Sequence, residues 1–133
     1  MHELLLETRE RESMVDITDN IRALVRQSGI GDGVVVVQSA HTTLGLTINE
    51  NADPAVQRDF LAHLKRLVPR DAGFIHQEGN SDSHIKVSLT APSVTVIVAR
   101  GNVVLGTWQG IFAVEFDGPR QRRLYVQVVP SHP

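Results

Sequence analysis

Six histidines and no cysteine make imidazole the most versatile acid, base and metal donor in this 133-residue chain. Two stretches hold the histidines whose neighbours could exploit it. The first, Ser39 to Asp53, sets His41 beside Thr42, Thr43, Thr47, Asn49, Glu50, Asn51 and Asp53, between an apolar run and a second apolar segment. Polar groups buried there would cost stability unless paired, so a lined pocket accounts for them. A plain turn and helix cap, with His41 bonded to backbone, accounts for them equally well. The second stretch, Phe74 to Lys86, carries His76, Glu78, Asn80, Asp82, His84 and Lys86. These are nitrogen and oxygen donors of the kind that hold zinc or another divalent ion, at a spacing that permits a site without matching a compact zinc signature. His41 would be a third imidazole for that site if the fold brings the stretches together.

Asp117-Gly118-Pro119-Arg120-Gln121-Arg122-Arg123 is a third candidate. Its arginines could grip a phosphate bidentately or could decorate a solvated hairpin tip. The run is too short, and too poor in aromatics, for nucleic acid. Gly-rich dinucleotide and Walker loops and a nucleophile elbow are all missing, so hydride transfer, P-loop hydrolysis and α/β-hydrolase chemistry have no support. His2, His63 and His132 read as surface residues.

Thirteen basic and fifteen acidic side chains give a formal charge of −2, which supplies no positive field for a polyanion. Without cysteine there are no disulfides, thiolate metal sites or thiol nucleophiles. The acidic start and the lack of any run near the roughly 20 apolar residues of a membrane span predict a cytoplasmic protein that does not engage membranes.

The elements that must position these residues read as one α+β domain over residues 1–133, mostly antiparallel β-sheet with two or three helices packed on one face. Leu4 to Thr8 is a first strand. Ile17, Ile21, Leu24 and Val25 have helical spacing after Asp16, and Gly29 and Gly31 stop that helix. Gly33 to Ser39 is apolar on both faces and suits a central strand covered on both sides. Thr47 to Glu50 adds a short strand. Asp53-Pro54 starts a helix whose Val56, Phe60, Leu61, Leu64 and Leu67 share a face, ending at Pro69. Ser81 to Leu89 is a third helix with Ser81 or Asp82 as cap. Val94–Val98, Val103–Trp108, Ile111–Phe116 and Arg123–Val129 are successive strands. Trp108 and Phe112 read as packing residues, and so many strands need an edge covered, which a symmetric oligomer does.

In three motifs the sequence resembles the YjbQ-like proteins, a family also labelled secondary thiamine-phosphate synthase. They are His41-Thr42-Thr43-Leu44-Gly45-Leu46-Thr47-Ile48-Asn49-Glu50-Asn51-Ala52-Asp53-Pro54, Gly79-Asn80-Ser81-Asp82-Ser83-His84-Ile85-Lys86, and Leu105-Gly106-Thr107-Trp108-Gln109-Gly110-Ile111 leading to Glu115-Phe116-Asp117-Gly118-Pro119-Arg120. The resemblance implies a homotrimer with a polar pocket near the subunit boundary, where His41, His76 and His84 would hold a divalent metal, zinc first and magnesium with a pyrophosphate substrate. It also implies weak thiamine-phosphate synthase activity, joining a pyrimidine diphosphate to a thiazole phosphate with loss of pyrophosphate. In that reading His41, His84 and Glu115 are the catalytic candidates. Thr42, Thr43, Asn49, Asn80, Lys86, Gln109 and Arg120 would bind a small phosphorylated substrate, with Lys86 and Arg120 supplying charge. The alternative is a non-catalytic trimer whose pocket binds a metal or small ligand in a regulatory role.

Overall fold

The computed structural model describes residues 1–132. Among them the chain forms β1 (His2–Glu7), β2 (Ser13–Asp16), α1 (Thr18–Ser28), β3 (Gly33–Ser39), β4 (Leu44–Glu50), α2 (Pro54–Leu67), α3 (Ser81–Leu89), β5 (Ser93–Ala99), β6 (Asn102–Val103), β7 (Gln109–Glu115) and β8 (Gln121–Pro130). The strands make two antiparallel sheets, a five-stranded one in the order β1-β8-β3-β5-β6 and a three-stranded one in the order β2-β7-β4.

Strand β7 explains the layering. Its residues alternate between faces, and from Gly110 to Glu115 all are buried. Ile111 and Ala113 join Val35, Val37, Leu124, Val126, the N-cap residue Ile17 and the α1 residues Ile21 and Val25 in the main core between the sheets. Phe112, Val114 and Phe116 turn the other way, onto Val87 of α3 and Phe60, Leu61 and Leu64 of α2. The order of layers is therefore sheet, sheet, helices, with α1 filling the inter-sheet core.

Local signals set the helix ends. Asp16 accepts from the Thr18 backbone N–H at 2.9 Å, ahead of α1. Gly29, at φ 70°, closes that helix in the left-handed conformation glycine tolerates. Asp53 accepts from Ala55 N–H at 2.9 Å with Pro54 in the first turn of α2. Asn80, one residue before the expected cap, occupies the N-cap position of α3.

Three expectations need correction, and one strand adds to them. Val103–Trp108 is not one strand: β6 is two residues long, because Gly106 N–H donates to the Gln109 side chain at 2.7 Å and folds the segment into a turn. The strand at Thr47–Glu50 starts three residues earlier, at Leu44. Strand β3 is central but fully covered on one side only, since Val35 and Val37 are buried while Val34 and Val36 are half-buried. Strand β2, whose Met14 and Val15 lack a clear alternation, was not anticipated.

Candidate functional site

The inter-sheet core ends in charge. Arg122 is in phase with Leu124, Val126 and Val128 on β8, and Glu115 with Ile111 and Ala113 on β7, so both side chains point inward. They are 4% and 0% exposed. Arg122 Nε donates to Glu115 at 2.7 Å, and Nη2 donates to Glu115 and to Thr43 Oγ1, the latter at 2.8 Å. Glu115 also accepts from the Thr8 hydroxyl at 2.7 Å and from Asp117 N–H at 3.1 Å. This network fixes the ends of β7 and β8, the start of β4 and the strap after β1. The arginine-rich run is thereby resolved: β7 and β8 belong to different sheets, so residues 117–120 cross between sheets rather than tip a hairpin.

Over this polar floor lies a cavity of about 230 Å³, lined by His41, Thr42, Thr43, Asn80, His84 and Arg120, with Arg122, Glu78 and Asp117. Six residues singled out from sequence thus meet at one place. Arg120 donates to Asp117 at 3.0 Å, and Asn80 Nδ2 donates to the same carboxylate at 2.8 Å. The bonds of Arg122 use Nε and Nη2, leaving Nη1 without a partner among the described residues.

His41 Nε2 accepts from Arg123 N–H at 2.9 Å. A neutral imidazole has one donor and one acceptor nitrogen, so this bond assigns the proton to Nδ1. Burial holds the His41 pKa below the ordinary histidine value; the Arg122 charge lowers it further, as do Arg123 and Arg120, while Glu115 opposes. The neutral ring is thus favoured in the folded chain. Because the folded pKa lies below the unfolded one of about 6.5, the unfolded chain takes up protons first as pH falls. His41 therefore contributes stability that is present above about pH 6.5 and lost below it. Melting curves from pH 8 to 5 should fall less steeply for His41→Asn than for the wild type; parallel curves would refute the assignment.

Other expected site residues lie elsewhere. Lys86 is fully buried, its ammonium bonded to Glu12 at 2.6 Å and Asp82 at 2.9 Å, so it is a structural cation and does not line the cavity. Glu115 is enclosed beneath the cavity, which suits positioning rather than proton transfer to a ligand. Gln109 and Asn49 stand at the far end of β7 and β4, opposite Glu50 and Gly110 respectively, and Gln109 bonds to its own turn. Sequence reasoning named Glu78 only as a possible metal donor and assigned no individual role to Arg122 or Asp117.

His76 and His84 meet edge to face, ring centroids 5.4 Å apart, and His76 Nε2 stands 3.6 Å from Glu78. Among the described residues no group of three or more His, Asp or Glu side chains is arranged to hold a metal ion. The His41 lone pair on Nε2 is already engaged. The trio His41, His76 and His84 does not fit a shared metal in this single-chain arrangement.

Comparison with known proteins fits this layout. Residues 2–131 match the family model described as UPF0047 protein YjbQ-like. The chain belongs to the YjbQ-like UPF0047 family. A UPF0047 protein of Methanocaldococcus jannaschii is 50% identical over 124 residues, 93% of this chain and 90% of that protein. YugU of Bacillus subtilis, also a UPF0047 protein, is 42% identical over 127 residues, 95% and 96% of the two chains. The crystal structure of a YjbQ/UPF0047 family protein from Clostridium acetobutylicum superposes with a TM-score of 0.96 at 46% identity, covering 97% of this chain and all of that one. The YjbQ-like α+β fold, mostly antiparallel with three helices, is shared with these solved structures. Among the described residues no helix is long and apolar enough to cross a membrane.

Proposed function

We propose that this YjbQ-family chain binds the phosphate of a small phosphorylated molecule in the cavity above the Glu115–Arg122 pair. The observation that carries the reading is the Arg122 guanidinium, 4% exposed, held by Glu115 and Thr43 through Nε and Nη2, in a side chain that lines the cavity and whose Nη1 has no partner among the described residues. A pre-positioned guanidinium binds phosphate with little ordering cost. Arg120 stands beside it, and the Nδ1–H of neutral His41 adds a donor. Of the two cavity carboxylates, Asp117 is occupied by Arg120 and Asn80, and Glu78 stands near His76.

The enzymatic form of this reading is a thiamine-phosphate synthase-like transferase. A thiazole nitrogen forms a bond to the pyrimidine methylene carbon as the carbon–oxygen bond to pyrophosphate breaks. Arg120, Arg122 and His41 would stabilise the departing oxyanion. Calorimetry with pyrophosphate, thiamine phosphate and its two precursors tests it. Arg120→Ala should weaken binding about tenfold, the size of one charge-assisted hydrogen bond. No heat with any of them at millimolar concentration would refute the reading, and heat without turnover would favour the non-catalytic binding protein.

A divalent metal and a homotrimer belong to the same proposal. His76 and His84, in ring contact, would supply two nitrogen ligands to a zinc ion, and because no three His, Asp or Glu side chains among the described residues are arranged around a metal, its remaining ligands would come from the bound phosphate or a second copy of the chain. The trimer is supported by the outer face of the larger sheet, where Ile97, Val34 and Val129 align across three strands with Ile97 and Val129 exposed. Elemental analysis and light scattering of untagged protein decide both; metal-free protein, or a mass of 14.7 kDa, would remove them.

A further inference from the structure

The cavity above Arg122 is lined by hydrogen-bond acceptors as well as donors. Arg120 and Asn80 both donate to Asp117, at 3.0 and 2.8 Å, and both bonds fall on Oδ2. Oδ1 of the same carboxylate has no partner among the described residues. It is not sealed away either. Among those residues the only buried side-chain oxygen without a partner is Asn80 Oδ1, so Asp117 Oδ1 keeps accessible surface, in a side chain that lines the cavity. Asn80, 8% exposed, borders the same cavity and adds its own unpartnered acceptor to that wall.

A carboxylate oxygen repels a fully deprotonated oxyanion, and the repulsion grows as water is excluded. An O–H on the ligand reverses the sign, because the same contact becomes a short, charge-assisted hydrogen bond. Asp117 cannot swing clear, since Arg120 and Asn80 hold its other oxygen. We propose that Asp117 is a specificity-determining residue that selects the protonated form of the ligand, its Oδ1 accepting from a P–OH while Arg122, Arg120 and His41 donate to the remaining oxygens. This selection rests on the phosphate reading and adds the protonation state to it. The site would take hydrogen phosphate, or the singly protonated monoanion of a phosphate ester, and refuse sulfate, which has the same tetrahedral shape and carries no proton near neutral pH.

Calorimetric titrations of the full chain at pH 8 with inorganic phosphate, sulfate and methyl phosphate test this. A phosphate ester loses its second proton near about pH 6, so all three are then tetrahedral dianions and only inorganic phosphate retains an O–H. It should bind about tenfold more tightly than either of the others, equivalent to about 1.4 kcal/mol. Asp117→Asn keeps an oxygen to accept from Arg120 and Asn80 and puts an amide donor in place of Oδ1. Sulfate should therefore bind the variant about tenfold more tightly than it binds the wild type, and the preference for phosphate should vanish. A variant that was merely damaged would lose affinity for all three, and the wild-type comparison of phosphate with sulfate and methyl phosphate needs no variant. Sulfate or methyl phosphate matching inorganic phosphate on the wild type, or a preference that survives Asp117→Asn, would overturn the selection and leave the phosphate reading intact. Binding of none of the three would remove both.

Discussion

Replacing Glu115 with alanine should lower the stability of the fold by about 3–5 kcal/mol, the cost of stripping one partner from a buried ion pair. That is a large part of the roughly 5–15 kcal/mol that holds a domain together. The reason is what remains behind. Arg122 would keep its charge at 4% exposure with only Thr43 to bond, while the Thr8 hydroxyl and Asp117 N–H would lose an acceptor. Asp117 anchors Arg120, so the surviving folded protein should also bind phosphate more weakly. Urea titrations read the first effect. The double replacement Glu115→Leu with Arg122→Met should recover most of the stability, because well-packed apolar groups often substitute for a buried pair at little net cost. Phosphate binding should not return with it, since the guanidinium is gone. A loss below about 1 kcal/mol for Glu115→Ala would mean that the pair is not what fixes this end of the sandwich.

Parts of that network were legible before the fold was known. Period-2 alternation on two strands puts Glu115 in phase with Ile111 and Ala113, and Arg122 in phase with Leu124 and Val126. Two inward charges of opposite sign imply a buried pair once the strands are extended by one residue. Reading β8 from Arg123 onward hid that phase. The helices were legible through Asp53-Pro54, Gly29 and their apolar spacing, because caps and periodicity are local. What sequence could not supply was which strand pairs with which. His41, Asn80, His84 and Arg120 converge only because β7 and β8 enter different sheets. The same ladders separate Gln109 and Asn49 from the site. Leu44 lies opposite Glu115 and Glu50 opposite Gln109, so at about 3.3 Å per residue the ends of β7 stand roughly 20 Å apart. Motif residues close in sequence are therefore divided between opposite ends of one strand.

Lys86 is where a motif residue proved most misleading, and its replacement separates a structural cation from a ligand-binding one. Lys86→Met should cost about 3–5 kcal/mol, because Asp82, fully buried, and Glu12 would be left with Arg11 as their remaining cation. The pH dependence of that cost is specific. Burial pushes the Asp82 pKa up, but hydrogen bonds from Arg11 and Lys86, and the charges of both, outweigh it and hold the carboxyl below its ordinary value. In the wild type Asp82 thus contributes stability that is present above about pH 4 and lost as pH falls through its depressed folded pKa. Without Lys86 the folded carboxyl accepts a proton more readily, and the neutral acid no longer needs the missing ammonium. The stability difference between wild type and Lys86→Met should therefore narrow as pH is lowered from 7 towards 3. Phosphate affinity of the folded variant should stay at the wild-type value, since Lys86 does not border the cavity, whereas Arg120→Ala should do the reverse, sparing stability and weakening the ligand. A Lys86→Met protein of unchanged stability that no longer binds phosphate would return Lys86 to the ligand.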